Sequence, residues 1–287
     1  MNNTLHQFKK IRTISEVLED GFSFLQKHYR KMLKIIWESN KYYLLLFFIL
    51  NIIFYYKYSM MINELLLNDK INNFGVATIF GLLISLYSIF LTARIYSAAY
   101  GYLKSYIKNN GEIKEEEIYN FINSKWLGYI LLSFLSVIIL FLGFLFFIIP
   151  GIYLLVPIVL SFTVYFMEGK GITEAISKAF SYIKGKWWYS FAIIMLTYII
   201  IIILNSLVSF PATLYALIKI MGTVKTEGEN ISQATGDPVL AFLNVITIIA
   251  KLFISVIQVP VMVFLYFSLK EYQTAEGALE KINQIGS

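Results

Sequence analysis

Polar and apolar positions alternate in long blocks along this chain, and one block sets the frame for the rest. Between Trp126 and Glu168 there are 41 residues with no charge, and near their middle stands Ile149-Pro150-Gly151. A single helix of that length would be about 60 Å long, twice the hydrocarbon thickness of a bilayer. The chain is therefore expected to fold back on itself, with Pro150 and Gly151 as the structural turn and Pro suited to the first turn of the second helix. The pattern predicts a transmembrane helical hairpin.

Upstream the rhythm is different. Residues 1–12 are polar and are expected to fray. From Ile14 the apolar residues Val17, Leu18, Phe22, Leu25, Tyr29, Met32, Leu33 and Ile36 recur at spacings of three and four. Glu16, Glu19, Asp20, Lys27, Arg30, Lys31 and Lys34 fall on the opposite face. Thr13 followed by Glu16 is a capping box that fixes the helix start. This stripe is too interrupted to span a bilayer and predicts a helix lying in the membrane interface. The other apolar blocks predict spans at about 42–67 and 74–107, then 127–149 and 151–167 for the hairpin, then 187–210, stopped by Pro211, and 239–269. Polar reversals lie at 68–73 and 223–238. Two further amphipathic segments, Ile113 to Ile122 and Ile172 to Ile183, precede the third and fifth spans.

These segments hint at an internal repeat. Each amphipathic stretch ends in a small or polar residue, then Lys, then an aromatic: Asn40-Lys41-Tyr42, Ser124-Lys125-Trp126 and Gly185-Lys186-Trp187. An ammonium and an amphipathic ring both belong at headgroup level. ISEVLEDGFSF from Ile14 also reads against ITEAISKAFSY from Ile172. The predicted architecture is an all-α integral membrane protein of six transmembrane helices in three hairpins, each preceded by an amphipathic interfacial helix. Residues 1–41 form the lead-in, 42–269 the membrane domain and 270–287 a short tail.

Composition agrees with lipid as solvent: of 287 residues 58% are hydrophobic and only 15% charged, against about 25% charged in a soluble domain. Orientation follows from the 24 Lys and Arg. Nineteen fall on the amino-terminal side of the odd-numbered spans and four on the other, with Lys251 inside a span. The positive-inside rule then places both termini in the cytoplasm. The chain lacks Cys and has only His6 and His28, so neither a thiolate nor an all-His metal centre is expected, and no cofactor is implied. No phosphate loop, nucleophile–base pair or cluster of intramembrane carboxylates stands out, which argues against an enzyme. The bases track one membrane face rather than interleave with exposed aromatics, which argues against nucleic acid.

The candidate functional residues are the polar groups within predicted spans. Lys251 lies about 18 Å along the last span if that helix starts at Val239, or at its outer end if the span is 252–269. Asn51, Asn205 and Gln258 are placed to hydrogen-bond neighbouring helices. Glu168 closes the fourth span, where it can pair with the following amphipathic helix. Lys41, Tyr42, Lys125, Trp126, Lys186 and Trp187 are the interfacial anchors. Arg94 is expected to snorkel at the membrane exit.

FFIIPGIYLLVPIVLSF, a Glu closing the span, and then GITEAISKAFSYIKGKWW resemble the bacterial six-span family that includes the glycerophosphoryl diester phosphodiesterase membrane domain. TISEVLEDGFSFLQKHYRKML resembles the lead-in helix of its Bacteroidota members. The resemblance implies six spans and a bacterial inner membrane. It does not bring phosphodiesterase chemistry, which belongs to a separate soluble domain. Some relatives carry an Arg in the fourth span, whereas residues 152–167 here hold no base. Two functions are expected from all this. The first is a non-enzymatic accessory or scaffold subunit of an inner-membrane assembly of export or envelope biogenesis. The alternative is a transporter or lipid-handling protein with a cavity between repeats, and anionic headgroups are the expected partners in either case.

Overall fold

The computed structural model describes residues 8–67, 74–225 and 237–275. The reversal at 68–73, most of the 223–238 loop, His6 and the tail beyond Ala275 lie outside the described residues. Within them every regular element is an α-helix: α1 (Ile14–Leu67), α2 (Phe74–Lys108), α3 (Glu115–Phe146), α4 (Ile148–Glu168), α5 (Ile172–Ile183), α6 (Trp187–Lys225), α7 (Pro238–Ser255) and α8 (Gln258–Thr274). Five stretches are long and apolar enough to cross a membrane: Gly75–Lys108, Glu115–Leu145, Ile148–Glu168, Trp187–Met221 and Pro238–Thr274. Their outward side chains, such as Phe134, Val137 and Phe141 on α3, are more than 60% exposed. Ridges of this kind are costly in water and at home in hydrocarbon. The chain has the make-up of a multi-pass membrane protein. The first predicted span lies in α1 and is not among the five, which are drawn from the described residues only.

The capping box is present: Thr13 N–H donates to Glu16 Oε2 at 2.8 Å and Glu16 N–H to Thr13 Oγ1 at 3.3 Å. Hydrogen bonds from Lys10 and Thr13 hold the Glu16 carboxyl down to about 2. The helix it starts does not lie separately in the interface, however. α1 runs unbroken through Lys41-Tyr42 into the predicted first span, and α3 likewise takes in the second amphipathic segment. No Gly or Pro interrupts either junction, so nothing offsets the helical hydrogen bonds a break would cost. Only α5 is a separate amphipathic helix, ended by Lys184 and by Gly185 at φ 77°.

The chain divides into two compact units, one of Met1–Ser39, Ala93–Ile201 and Val256–Ser287 and the other of Asn40–Thr92 and Ile202–Ser255. In the first, part of the apolar stripe of α1 is covered by protein. Val17, Met32 and Ile36 are at most 1% exposed, and a Cβ on Gly21 would meet Val261 Cα at 2.8 Å, so only glycine lets α1 approach α8 this closely. The segment before α1 is built in rather than frayed from Phe8 onward. Phe8 is 1% exposed and stacks on Phe264 at 4.7 Å, with Phe24 edge-on at 6.2 Å. In the second unit, Phe47 stacks on Tyr87 at 6.0 Å, the Tyr87 hydroxyl donates to the Tyr43 carbonyl at 3.0 Å, and Phe48 meets Phe242 at 6.2 Å.

Proline acts differently at its three informative positions. The reversal of the central hairpin falls on Phe147, a single extended residue at φ −161° and ψ 152°, and not on Pro150-Gly151. Pro150 is the third residue of α4, where a missing N–H is harmless. Gly151 serves close approach: a Cβ on Gly143 would come within 3.2 Å of Gly151 Cα, and one on Gly151 would strike the Phe144 ring. Pro211 does not stop the fifth apolar helix, since α6 continues through it to Lys225. Residues 212–221 are mostly apolar and, in lipid, have helical hydrogen bonds as their only partners. Pro260 does break its helix. The carbonyl four residues before it belongs to Val256, and there α7 gives way to α8, with Val259 N–H turning to the Val256 carbonyl at 2.9 Å.

Candidate functional site

Glu168, the last residue of α4, gathers three helices. Its Oε2 receives Lys178 Nζ of α5 at 2.5 Å. Its Oε1 receives the hydroxyls of Tyr182, also on α5, at 2.6 Å and of Tyr266 on α8 at 3.1 Å. Local geometry explains the pairing, because Lys178 and Tyr182 are one turn apart on a helix and share a face. Gly169 ends α4 in the left-handed conformation at φ 73°, its N–H donating to the Tyr165 carbonyl at 3.1 Å. Two ammoniums complete this helix end: Lys104 Nζ donates to the Phe166 carbonyl at 3.1 Å and Lys125 Nζ to the Gly169 carbonyl at 3.3 Å. Cations at a helix C-terminus meet both unpaired carbonyls and the negative end of the dipole.

Beside this cluster opens a cavity of about 660 Å³ whose wall includes Lys104, Lys108, Lys170, Lys178, Lys270 and Glu168. Lys108 pairs with Glu117 at 3.1 Å, Lys170 with Glu174 at 2.9 Å, and Lys178 with Glu168. Five ammoniums and one carboxylate thus stand in the wall. Tyr182 and Tyr266 stand in the same wall. With its volume inside the usual 300–1,000 Å³ range for ligand sites, the cavity suits an anion with an organic part.

A buried arginine anchors the same unit. Arg12 Nε donates to Asp20 Oδ2 at 2.7 Å and its Nη1 to the Phe8 and Lys10 carbonyls at 2.8 and 3.0 Å, while the guanidinium lies 4.8 Å over the Phe264 ring. Its backbone N–H donates to Ser268 Oγ at 3.0 Å and its carbonyl accepts the Tyr189 hydroxyl at 2.8 Å. Arg94 does not snorkel. It is 8% exposed and donates to the Ser39 carbonyl at 3.2 Å and Asn123 Oδ1 at 3.4 Å.

Of the four intramembrane candidates, Gln258 lines a cavity. Its Nε2 donates to the Tyr96 hydroxyl within a tyrosine-rich chamber. Asn51 does not bridge helices, since its Nδ2 satisfies the Phe47 carbonyl one turn back at 2.8 Å. Asn205 Oδ1 is buried with no hydrogen-bond partner among the described residues. Lys251 is half-buried on α7 and lines none of the cavities described here. Among the anchors, Lys41 Nζ lies 5.4 Å over the exposed Tyr42 ring, Lys125 5.0 Å over Tyr165 and Lys186 4.1 Å over Tyr272. Trp187 Nε1 donates to the Tyr153 carbonyl at 3.0 Å, and Trp126 is half-buried on α3. Glu168 pairs with the following amphipathic helix as expected.

Lys104, Tyr182, Tyr266 and Arg12 were not apparent as site residues from sequence. A signal existed for some of them. Tyr96, Tyr100, Lys104 and Lys108 recur every four residues on α2, and Gln258, Met262, Tyr266 and Lys270 do so on α8, each set on one helix face. No family model, curated protein or solved structure matches the chain.

Proposed function

We propose that this protein is a six-span membrane protein of the bacterial inner membrane, with both termini cytoplasmic, that handles anionic lipid by holding a phosphate-bearing headgroup in the lysine-walled cavity. The observation that carries it is the convergence of five lysines from α2, α5, α8 and the α4–α5 connection on one space beside a carboxylate already satisfied by Lys178, Tyr182 and Tyr266. The nineteen-to-four charge asymmetry supports the orientation. It also favours contact with an anionic leaflet. Binding, not bond-making, is the role this arrangement supports: the cavity holds donors and charge with no activated nucleophile. An accessory-subunit role rests on three basic amphipathic helices on one membrane face with no recognisable site. Val17, Met32 and Ile36 of the α1 stripe and Ala175, Ala179 and Ile183 of α5 are buried within the chain. The transport reading is carried here by the lysine cavity, whose lining does not include Lys251.

The test is lipid retention by the full chain in mild detergent, read by native mass spectrometry with phosphatidylglycerol and phosphatidylcholine. At about 1 kcal/mol per base near a headgroup, Lys104→Gln with Lys270→Gln should weaken phosphatidylglycerol binding roughly thirtyfold and leave phosphatidylcholine unchanged. Equal retention of both lipids by the parent and the folded double variant would overturn the proposal.

A further inference from the structure

A second cavity, of about 210 Å³, is lined by Tyr96, Tyr100, Tyr129, Phe162, Tyr198 and Gln258, with Val159 and Met262 filling the gaps. Each of the five stretches able to cross a membrane contributes to it. Its walls are flat rings. Tyr96 lies nearly parallel to Tyr129 (5.5 Å, 23°), and Phe166, outside the lining, stacks on Tyr129 (5.9 Å, 28°) and on Tyr100 (4.4 Å, 18°). Such offset stacks present faces on which another planar ring can lie.

Its polar groups are hydroxyls and one amide, and no acid or base lines it. A charged ligand would be left there without a counter-ion, at large cost in an apolar setting. The Tyr100 hydroxyl is engaged with Thr163 Oγ1 at 2.8 Å. The Tyr198 hydroxyl has no hydrogen-bond partner among the described residues, although it lies within electrostatic reach of the Tyr129 hydroxyl. An O–H on an apolar helix favours a partner, and a carbonyl oxygen would supply one. Tyr198 is also 37% exposed, flanked by Leu196 at 41% and Ile199 at 45%. At that side the chamber meets the apolar outer surface of α6, where an alkyl or isoprenoid tail could leave for lipid.

We propose that this chamber binds the headgroup of a membrane-dissolved quinone, a planar ring carrying carbonyl acceptors on an apolar tail. The ring lies against the Tyr96–Tyr129 stack, a carbonyl accepts from the Tyr198 hydroxyl, and the tail passes out beside α6. The site is separate from the lysine cavity and does not depend on it.

The experiment uses the full chain in phosphatidylcholine nanodiscs, titrated with a decyl-chain benzoquinone by calorimetry. A decylbenzene of the same tail, lacking carbonyls, serves as the control. The parent should show saturable binding of the quinone and none of the control. Tyr198→Phe keeps the ring and removes the donor, and should weaken binding about tenfold. Val159→Phe fills the chamber and should abolish binding. Lys270→Gln should leave it unchanged. The proposal is overturned if folded parent protein shows no saturable binding, if decylbenzene binds as well as the quinone, or if Tyr198→Phe binds like the parent. Should Val159→Phe not fold, the Tyr198 variant and the control ligand decide the matter.

Discussion

Two carboxylates in this molecule have nearly the same immediate chemistry and different reach. Glu168 and Asp237 each meet a lysine and a tyrosine, and their side chains are 11% and 10% exposed. Glu168 draws its partners from 10, 14 and 98 residues away and so fastens α4, α5 and α8 to one another. Asp237 accepts Lys219 Nζ at 2.8 Å and the Tyr215 hydroxyl at 3.1 Å, both from α6. Its Oδ1 also takes the Val239 and Leu240 N–H groups at 2.8 and 3.1 Å, which caps α7 ahead of Pro238 at the first helical position. With burial matched, the difference lies in what each joins. Asp237 closes one helix connection, whereas Glu168 ties three elements beside the lysine cavity.

The sharpest way to break that comparison is Glu168→Ala. It removes the nearer carboxylate of Lys178, which keeps Glu174 at 4.0 Å, and the acceptor shared by two tyrosine hydroxyls, and should cost about 3 kcal/mol, the scale of disrupting a part-buried charged network. Denaturation of the detergent-solubilised protein would measure it. Glu168→Gln should cost less, because the amide oxygen still accepts from a tyrosine. Asp237→Ala comes next, at about 1–2 kcal/mol for a lost cap and one ion pair. Asp237→Asn should recover most of that, since Asn caps nearly as well. A larger loss from Asp237→Ala than from Glu168→Ala would mean that the number of joined elements is not what separates the two sites. Acid offers a second view of Asp237. The hydrogen bond from Lys219, aided by the two backbone N–H groups, lowers its carboxyl to about 2. Its contribution is therefore present above the ordinary Asp range near 3.8 and fades as pH falls toward 2.

What could be read along the chain follows the same division between local and distant. The Thr13–Glu16 box was legible because both halves lie within one turn. The hairpin reversal was legible to within a few residues; Pro and Gly marked the neighbourhood, but Phe147 turns, because Pro150 is better used inside the first turn of α4. Pro211 misled for a related reason. Its rule as a helix stop assumes that water can take over the freed backbone groups, and lipid cannot. The amphipathic stripes were correctly seen as amphipathic, and what covers them was not. Whether Val17 and Met32 meet lipid or another helix depends on Gly21 admitting Val261 from 240 residues away. Arg12 was unreadable for the same reason, its partners Ser268 and Tyr189 lying 256 and 177 residues distant. Six crossings are a proposal, since five stretches of the described residues have the length and apolar make-up to cross a membrane.

The smallest expected effect comes from His28 on α1, in the first unit with Glu168. Its ring stacks on Phe24 at 4.4 Å and its Nδ1 lies 3.1 Å from the Tyr102 hydroxyl, with Tyr106 edge-on at 4.8 Å. Burial lowers its pKa from the ordinary 6.5, and the charges of Lys27 and Lys31 push the same way. The native state therefore resists the proton that the unfolded chain accepts. Stability should be highest above the ordinary histidine value and fall as pH drops below it, levelling off once the native imidazole also charges. His28→Gln keeps a polar contact for Tyr102 without a titrating ring, and its melting temperature should change less than the parent's between pH 7.5 and 5.5. Parallel curves for the two proteins would show that the titration at this position contributes nothing.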